Sequence, residues 1–244
     1  MLAAALRCRS CERLAEILEQ IVGRLDPNRE PRHVLDQIKQ ELGSATFEAQ
    51  YQQQPVPETG GMIQWEWLPT YDVVPTRGPA DSLFISWDTA LKDREVNDFS
   101  VGIVGLCKPN RHIYILDVIR ERMNFPALRQ RIIEESHRHR GAIHLIEDTG
   151  SGTVLLQELA TTSIHRIAIH PFGDKVVRLN RASPRIEAGA VHLPARASWL
   201  DNFKRELLSF PASANDDQVD ALSQLVNHAL DPMRGVPLWT SYLS

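Results

Sequence analysis

Apolar residues along the chain fall into short alternating or continuous runs first, and into helical spacing later. The run LFISWDTA (Leu83 to Ala90) reads as a short apolar strand ending in an acid. FSVGIVGLC (Phe99 to Cys107) and HIYILDVIRER (His112 to Arg122) follow as strands, with PNR as the turn between them. Phe125, Leu128, Ile132 and Ile133 then recur at helical spacing, which predicts a helix to about Arg140. AIHLIED (Ala142 to Asp148) is a fourth strand, again closing on acids, and GSGTVLLQELAT opens a helix after Gly150. HRIAIHP is a fifth strand, and a basic helical segment leads from it to Gly189 and the short strand VHLP. Trp199, Phe203 and Leu207 mark one further helix, and Val219, Leu222, Val226 and Ala229 mark the last.

Leaving VHLP aside, the order is β-β-β-α-β-α-β-α-α-α. Three strands joined by short links predict an antiparallel meander, and the alternation after it predicts parallel strands. The expected architecture is α/β: a mixed five- to six-stranded sheet with helices on both faces, in the order seen in the ribonuclease H-like fold. Upstream, residues 1–43 read as a charged helical arm broken at DPNREP (Asp26 to Pro31). Residues 44–80 read as a Gln-, Pro- and Gly-rich linker whose Trp65 and Trp67 dock on a neighbouring surface. The folded domain is expected over 81–232, with a tail at 233–244.

Composition narrows the class only modestly. With 43% hydrophobic and 24% charged residues, the 244-residue chain suits a globular domain with an arm. No apolar run approaches the ~20 residues needed to cross a bilayer, and the N-terminus lacks the features of a secretory signal, so the cytoplasm is the expected compartment. Cys8 and Cys11 form a CxxC without a second pair, and Cys107 stands alone in a strand. They read as reduced thiols. No GxxxxGK[ST] is present, so no P-loop ATPase is expected, and no GxSxG elbow supports a serine nucleophile.

Charge matters more locally than in the total of −4. The segment NDDQVDAL places Asp216, Asp217 and Asp220 in the first turn of the last helix. Clustered carboxylates repel, and the helix dipole returns only ~0.3–1 kcal/mol per charge; a divalent cation would return more. Two strand ends supply further acids, Asp88 on the first and Glu147 with Asp148 on the fourth. If those strands are neighbours, Asp88 and Glu147 stand side by side and the last helix brings Asp217 across the sheet end. Hard carboxylate oxygens suit two Mg²⁺ or Mn²⁺ ions, the pair that drives two-metal phosphodiester cleavage. In that arrangement Asp88 would bridge both ions while Glu147 and Asp217 would each hold one. Each acid also has a plain reading: Asp88 as a turn residue, Glu147 and Asp148 as a strand-closing turn, Asp216 as a helix cap, Asp220 as a solvated helix residue. Between His165 and Arg185 the bases Arg166, Lys175, Arg178, Arg181 and Arg185 face the single acid Asp174, a composition suited to phosphates.

Several motifs in order give the chain a family resemblance. TFEAQYQQQPVPETGGMI, SWDTA, LIEDTGSG with LLQEL, DKVVRL, IEAGAVHLP and FPASANDDQVDAL together resemble the C-terminal nuclease part of tailed-phage terminase large subunits, over roughly Pro31 to Leu230. The resemblance implies an RNase H/RuvC-like, metal-dependent endonuclease that cuts double-stranded concatemeric DNA during genome packaging in the bacterial host cell. It implies a portal protein and a small terminase subunit as partners. Asp88 matches the family's first acid and Glu147 its second, with the adjacent Asp148 as an alternative. Asp217 is the first choice for the third, with Asp220 and Asp216 behind it. Lys175, Arg178 and Arg181 fall in a stretch expected beside the DNA backbone. The departure is the ATPase motor of a full large subunit, which residues 1–30 do not resemble; a split gene with an ATPase domain in trans, a separately encoded nuclease and a prophage remnant all stay open. The triad is also similar to that of junction resolvases, and a remnant that binds DNA or a partner without cutting is the non-enzymatic alternative.

Overall fold

A computed structural model of the chain describes residues 61–89, 99–213 and 215–230. The N-terminal arm, the CxxC and the C-terminal tail lie outside the described residues. Among these residues seven strands build one mixed sheet: β1 (Thr70–Tyr71), β2 (Ser82–Thr89), β3 (Phe99–Cys107), β4 (Ile113–Arg122), β5 (Ile143–Glu147), β6 (Arg166–Ile169) and β7 (Val191–Pro194). Their order across the sheet is β1-β7-β4-β3-β2-β5-β6. β2, β3 and β4 form the expected antiparallel meander, and β5 and β6 add parallel to the β2 side. VHLP, which sequence order alone left aside, is β7, parallel to β4, and the two-residue β1 is parallel to β7 in turn. The stretch read as a linker therefore gives this body β1 and the buried Ile63 and Leu68, while Trp65 and Trp67 pack against the same core.

Among the described residues five α-helices cover the sheet: α1 (Phe125–Arg138), α2 (Ser151–Glu158), α3 (Lys175–Glu187), α4 (Leu200–Ser209) and α5 (Asp217–Ala229). Local chemistry fixes their starts. Asn124 accepts a hydrogen bond from the Ala127 amide ahead of α1, and Asp174 accepts one from the Val177 amide ahead of α3. Strand alternation sorts the two faces. Leu83, Ile85, Trp87 and Ile146 join α1 and α2 on one side, through Leu128, Ile132 and Leu155. Phe84, Val101, Ile103 and Leu145 pack under α3, α4 and α5 on the other.

Helix α5 is the keystone of that second face. Val219, Leu222, Leu225 and Val226 are all buried against the sheet. Gly105 permits its approach: a Cβ there would lie 2.7 Å from a Leu225 methyl carbon. A polar stripe interrupts the apolar one, for Gln218, Asp220, Ser223 and Gln224 are buried as well. Buried polar groups need partners, and theirs define the region described next.

Candidate metal centre

Asp88 and Glu147 close neighbouring parallel strands. Trp87 pairs with Ile146 in the β2–β5 register, so the next position along each strand brings in the two acids. Trp87 and Ile146 face the α1/α2 side, and alternation turns Asp88 and Glu147 to the α5 side. Gly152 tightens the reversal after β5, since a Cβ on it would lie 1.9 Å from the Glu147 carbonyl oxygen. Ser151 then donates to the Thr89 carbonyl at 2.8 Å, tying the start of α2 to the end of β2.

Gln224 sets where α5 crosses. Its side-chain amide donates to Ser86 Oγ at 2.9 Å and lies 3.3 Å from the carbonyl oxygens of Trp87 and Leu145. One helical turn of ~5.4 Å separates Gln224 from Asp220, and two strand residues of ~6.6 Å separate Ser86 from Asp88. Asp220 is thereby carried over the strand ends that bear Asp88 and Glu147. A second clamp holds the start of α5. Glu206 of α4 accepts the Gln218 backbone amide at 2.6 Å and its side-chain amide at 2.5 Å, and Arg120 of β4 stands 3.8 Å away. Asn202 accepts from the same Gln218 side chain at 2.9 Å.

The acids sense one another. Burial holds the Asp88 carboxyl well above its ordinary range, and the charges of Asp220, Asp217 and Glu147 push it further while Lys175 opposes them. Asp217 is pushed up to about 6 by burial, then by Glu206 and Asp216, against Lys175 and Arg120. Four of the sequence-identified acids thus converge on one sheet end. Among the described residues they do not form a ready-made group of three or more metal ligands.

The remaining candidates are held in other ways. Asp148 accepts from Thr153 Oγ1 at 2.7 Å, at the start of α2. Asp216 occupies the N-cap of α5 without a side-chain capping bond, and its carboxylate instead accepts from Lys175 Nζ at 2.5 Å. Asp220, 6% exposed, is not a solvated helix residue: Lys175 Nζ lies 2.7 Å from one oxygen and Arg178 Nη2 2.7 Å from the other. Lys175 and Arg178, expected beside DNA phosphates, face these carboxylates across the α3–α5 interface. Burial alone would lower the Lys175 pKa, but the bonds to Asp216 and Asp220 outweigh it and raise it. Arg181 lines an open cleft of about 180 Å³ with Arg178, Glu147, Phe172 and Gln224.

Sequence reasoning missed Gln224, Glu206 and Gln218. The one signal for them is that Gln218 and Gln224 interrupt the most apolar stripe of the last helix.

Residues 85–229 match the family model described as the terminase RNase H-like domain, a span of more than half the chain. None of the curated proteins matches. Solved structures agree in fold. The large terminase of a thermophilic bacteriophage, in complex with ADP, is 11% identical with a TM-score of 0.60, covering 80% of this chain and 51% of that one. The large terminase nuclease from thermophilic phage G20c with bound cobalt is 17% identical with a TM-score of 0.52, covering 69% and 97%. The same nuclease with bound magnesium gives 15% identity and a TM-score of 0.52, covering 70% and 98%. The chain spans about half the length of the ADP-bound large terminase.

Proposed function

The chain belongs to the terminase RNase H-like domain family, and from that premise we propose that it is a divalent-metal-dependent endonuclease cutting double-stranded concatemeric DNA during genome packaging. The observation that carries the reading is the placement of Asp88 and Glu147 at adjacent parallel strand ends, crossed by the helix whose first turn bears Asp217 and Asp220. The donor set fits the cofactor: every candidate ligand is a carboxylate, the donor that Mg²⁺ and Mn²⁺ prefer. The side-chain ammonium of Lys175 already lies between two of the cluster's carboxylates, so these oxygens accept positive charge.

Asp88, Glu147 and Asp217 would hold the metal, two ions in the full reading. When bound, such ions activate a water and stabilise the leaving oxygen of a phosphodiester. The protein's own contribution is placement. β2 and β5 fix Asp88 and Glu147 at adjacent strand ends, Gln224 fixes the crossing of α5, and Glu206 holds the turn that carries Asp217. Asp220 acts on the others through its charge and through the cations it anchors. Arg181 and the cleft beside Glu147 are suited to the sugar-phosphate backbone, a contact that is independent of sequence.

By the same reading the partners are duplex DNA, a portal protein and a small terminase subunit, in the cytoplasm of a bacterial host. Among the described residues no helix is long and apolar enough to cross a membrane. ATP hydrolysis would come from an ATPase domain outside these residues.

The test is nicking of supercoiled plasmid with Mg²⁺ or Mn²⁺. Asp88→Asn and Asp217→Asn are expected to abolish it while circular dichroism stays native. Cleavage at the wild-type rate by either variant would refute the assignment. Strong preference for four-way junctions over linear duplex would move the reading to a resolvase.

A further inference from the structure

Two cations from α3 enter the acidic cluster, and they are built differently. Arg178 is the more enclosed, with its side chain 17% exposed. Its guanidinium takes one Asp220 oxygen at 2.7 Å, and its backbone carbonyl accepts from Asn227 Nδ2 at 2.9 Å. Lys175 is the first residue of its helix, and its side chain is 42% exposed. Its ammonium lies 2.5 Å from Asp216 and 2.7 Å from the second Asp220 oxygen. Arg178 is therefore a fixed component of the α3–α5 interface. Lys175 has a flexible stem and an open path to water.

We propose that Lys175 is the exchangeable counter-ion of the acidic cluster: its ammonium occupies the cluster in the metal-free protein and leaves it for solvent when a divalent cation binds. The inference rests on the nuclease reading above. Asp88, Glu147, Asp217 and Asp220 converge there, Asp216 shares the Lys175 ammonium with Asp220, and Lys175 and Arg178 are the cations that α3 brings to them. A folded metal-free state needs positive charge there. The ammonium held by Asp216 and Asp220 and a divalent ion held by the neighbouring Asp88, Glu147 and Asp217 would carry like charge in one half-buried cluster and repel. Lys175 therefore balances the cluster's charge without metal and opposes the metal at the same time. The competing account is a permanent interhelix ion pair that ignores metal.

Reductive methylation of the wild-type protein, followed by peptide mass spectrometry, separates the two. Lys175 modification is compared in EDTA and in saturating Mn²⁺, with binding confirmed by calorimetry. Lys108, paired with Asp81 at 2.7 Å, and Lys204, 4.5 Å above the Trp65 ring, are internal references. Exchange predicts that Mn²⁺ speeds Lys175 methylation severalfold and leaves both references unchanged. It also predicts that Lys175→Met binds Mn²⁺ about tenfold more tightly than wild type, through loss of the competing charge. Bound Mn²⁺ with an unchanged or slower Lys175 reaction overturns the inference, as does a Lys175→Met affinity no tighter than wild type. If that variant does not fold, the wild-type methylation decides alone. Absence of any Mn²⁺ binding would instead sink the metal-site reading, and the exchange with it.

Discussion

Asp217→Asn is expected to make the metal-free protein more stable, by an amount that grows from about pH 4 upward. The Asp217 carboxyl is raised from 3.8 to about 6, first by burial and then by Glu206 and Asp216. An acid with a raised native pKa binds its proton more tightly folded than unfolded. Below about pH 3 both states hold the proton and there is little penalty. Between about pH 3 and 6 the unfolded chain ionises first, so native stability falls. Above pH 6 the penalty is complete and constant. The full rise corresponds to roughly 3 kcal/mol, and solvent screening of this half-buried group reduces it to about 1–2 kcal/mol. Asn is nearly isosteric and removes the charge. In EDTA at pH 8 the variant should melt about 2–8 °C higher, at ~2–4 °C per kcal/mol for a domain of this size. At pH 3 the difference should nearly vanish. Thermal melts followed by circular dichroism from pH 3 to 8 make the measurement. A variant less stable at pH 8, or one with the same difference at every pH, would refute the claim that Asp217 is held ionised against the local field. The result would also show that the residue is kept for function at a cost in stability.

The neighbouring acid should behave in the opposite way. Asp216→Asn weakens the bond to Lys175 at 2.5 Å and should lower the pH 8 stability in EDTA by about 0.5–1 kcal/mol, read from urea midpoints; an increase would contradict the charge assignment. Glu206→Gln removes the largest charge that raises Asp217, so a carboxyl NMR titration should find the Asp217 pKa lower than in wild type. Gln224→Leu leaves the Ser86 hydroxyl without its buried partner at 2.9 Å, and should cost about 1–3 kcal/mol in urea unfolding together with much of the nicking activity. Gly152→Ala forces a Cβ against the Glu147 carbonyl oxygen and should cost about 1–3 kcal/mol; a neutral effect would mean that the β5–α2 reversal is not tight.

Much of the candidate site is legible in the chain because strand ends and helix starts are local features. Apolar alternation in FISWD and HLIED fixes which residues turn to which face, and therefore that Asp88 and Glu147 each follow a residue turned to the opposite face. It does not say which strands are neighbours; the parallel β2–β5 register supplies that. The cluster NDDQVDAL is likewise visible as unbalanced charge, but the division of labour within it is not. Asp216 reads as a cap and is an ion-pair partner of Lys175. Asp220 reads as a metal candidate or a surface residue, and both of its oxygens are engaged by cations from α3. Lys175 and Arg178 read as phosphate ligands because the acids that meet them lie 41 and 42 residues further along the chain. Short edge strands escape for a similar reason. Two residues at Thr70–Tyr71 carry no periodicity, and only pairing with β7 makes them a strand.

Local pattern alone sets the order of the elements, the meander, the apolar faces of the helices and the set of acids available at one end of the sheet. These follow from backbone periodicity and from the cost of burying charge, both of which act over a few residues. Long-range packing sets which acids meet, which are already matched by a cation, and where α5 crosses. Those outcomes depend on contacts between residues that are distant in the chain. One buried glutamine over two strands and one lysine between two aspartates settle them.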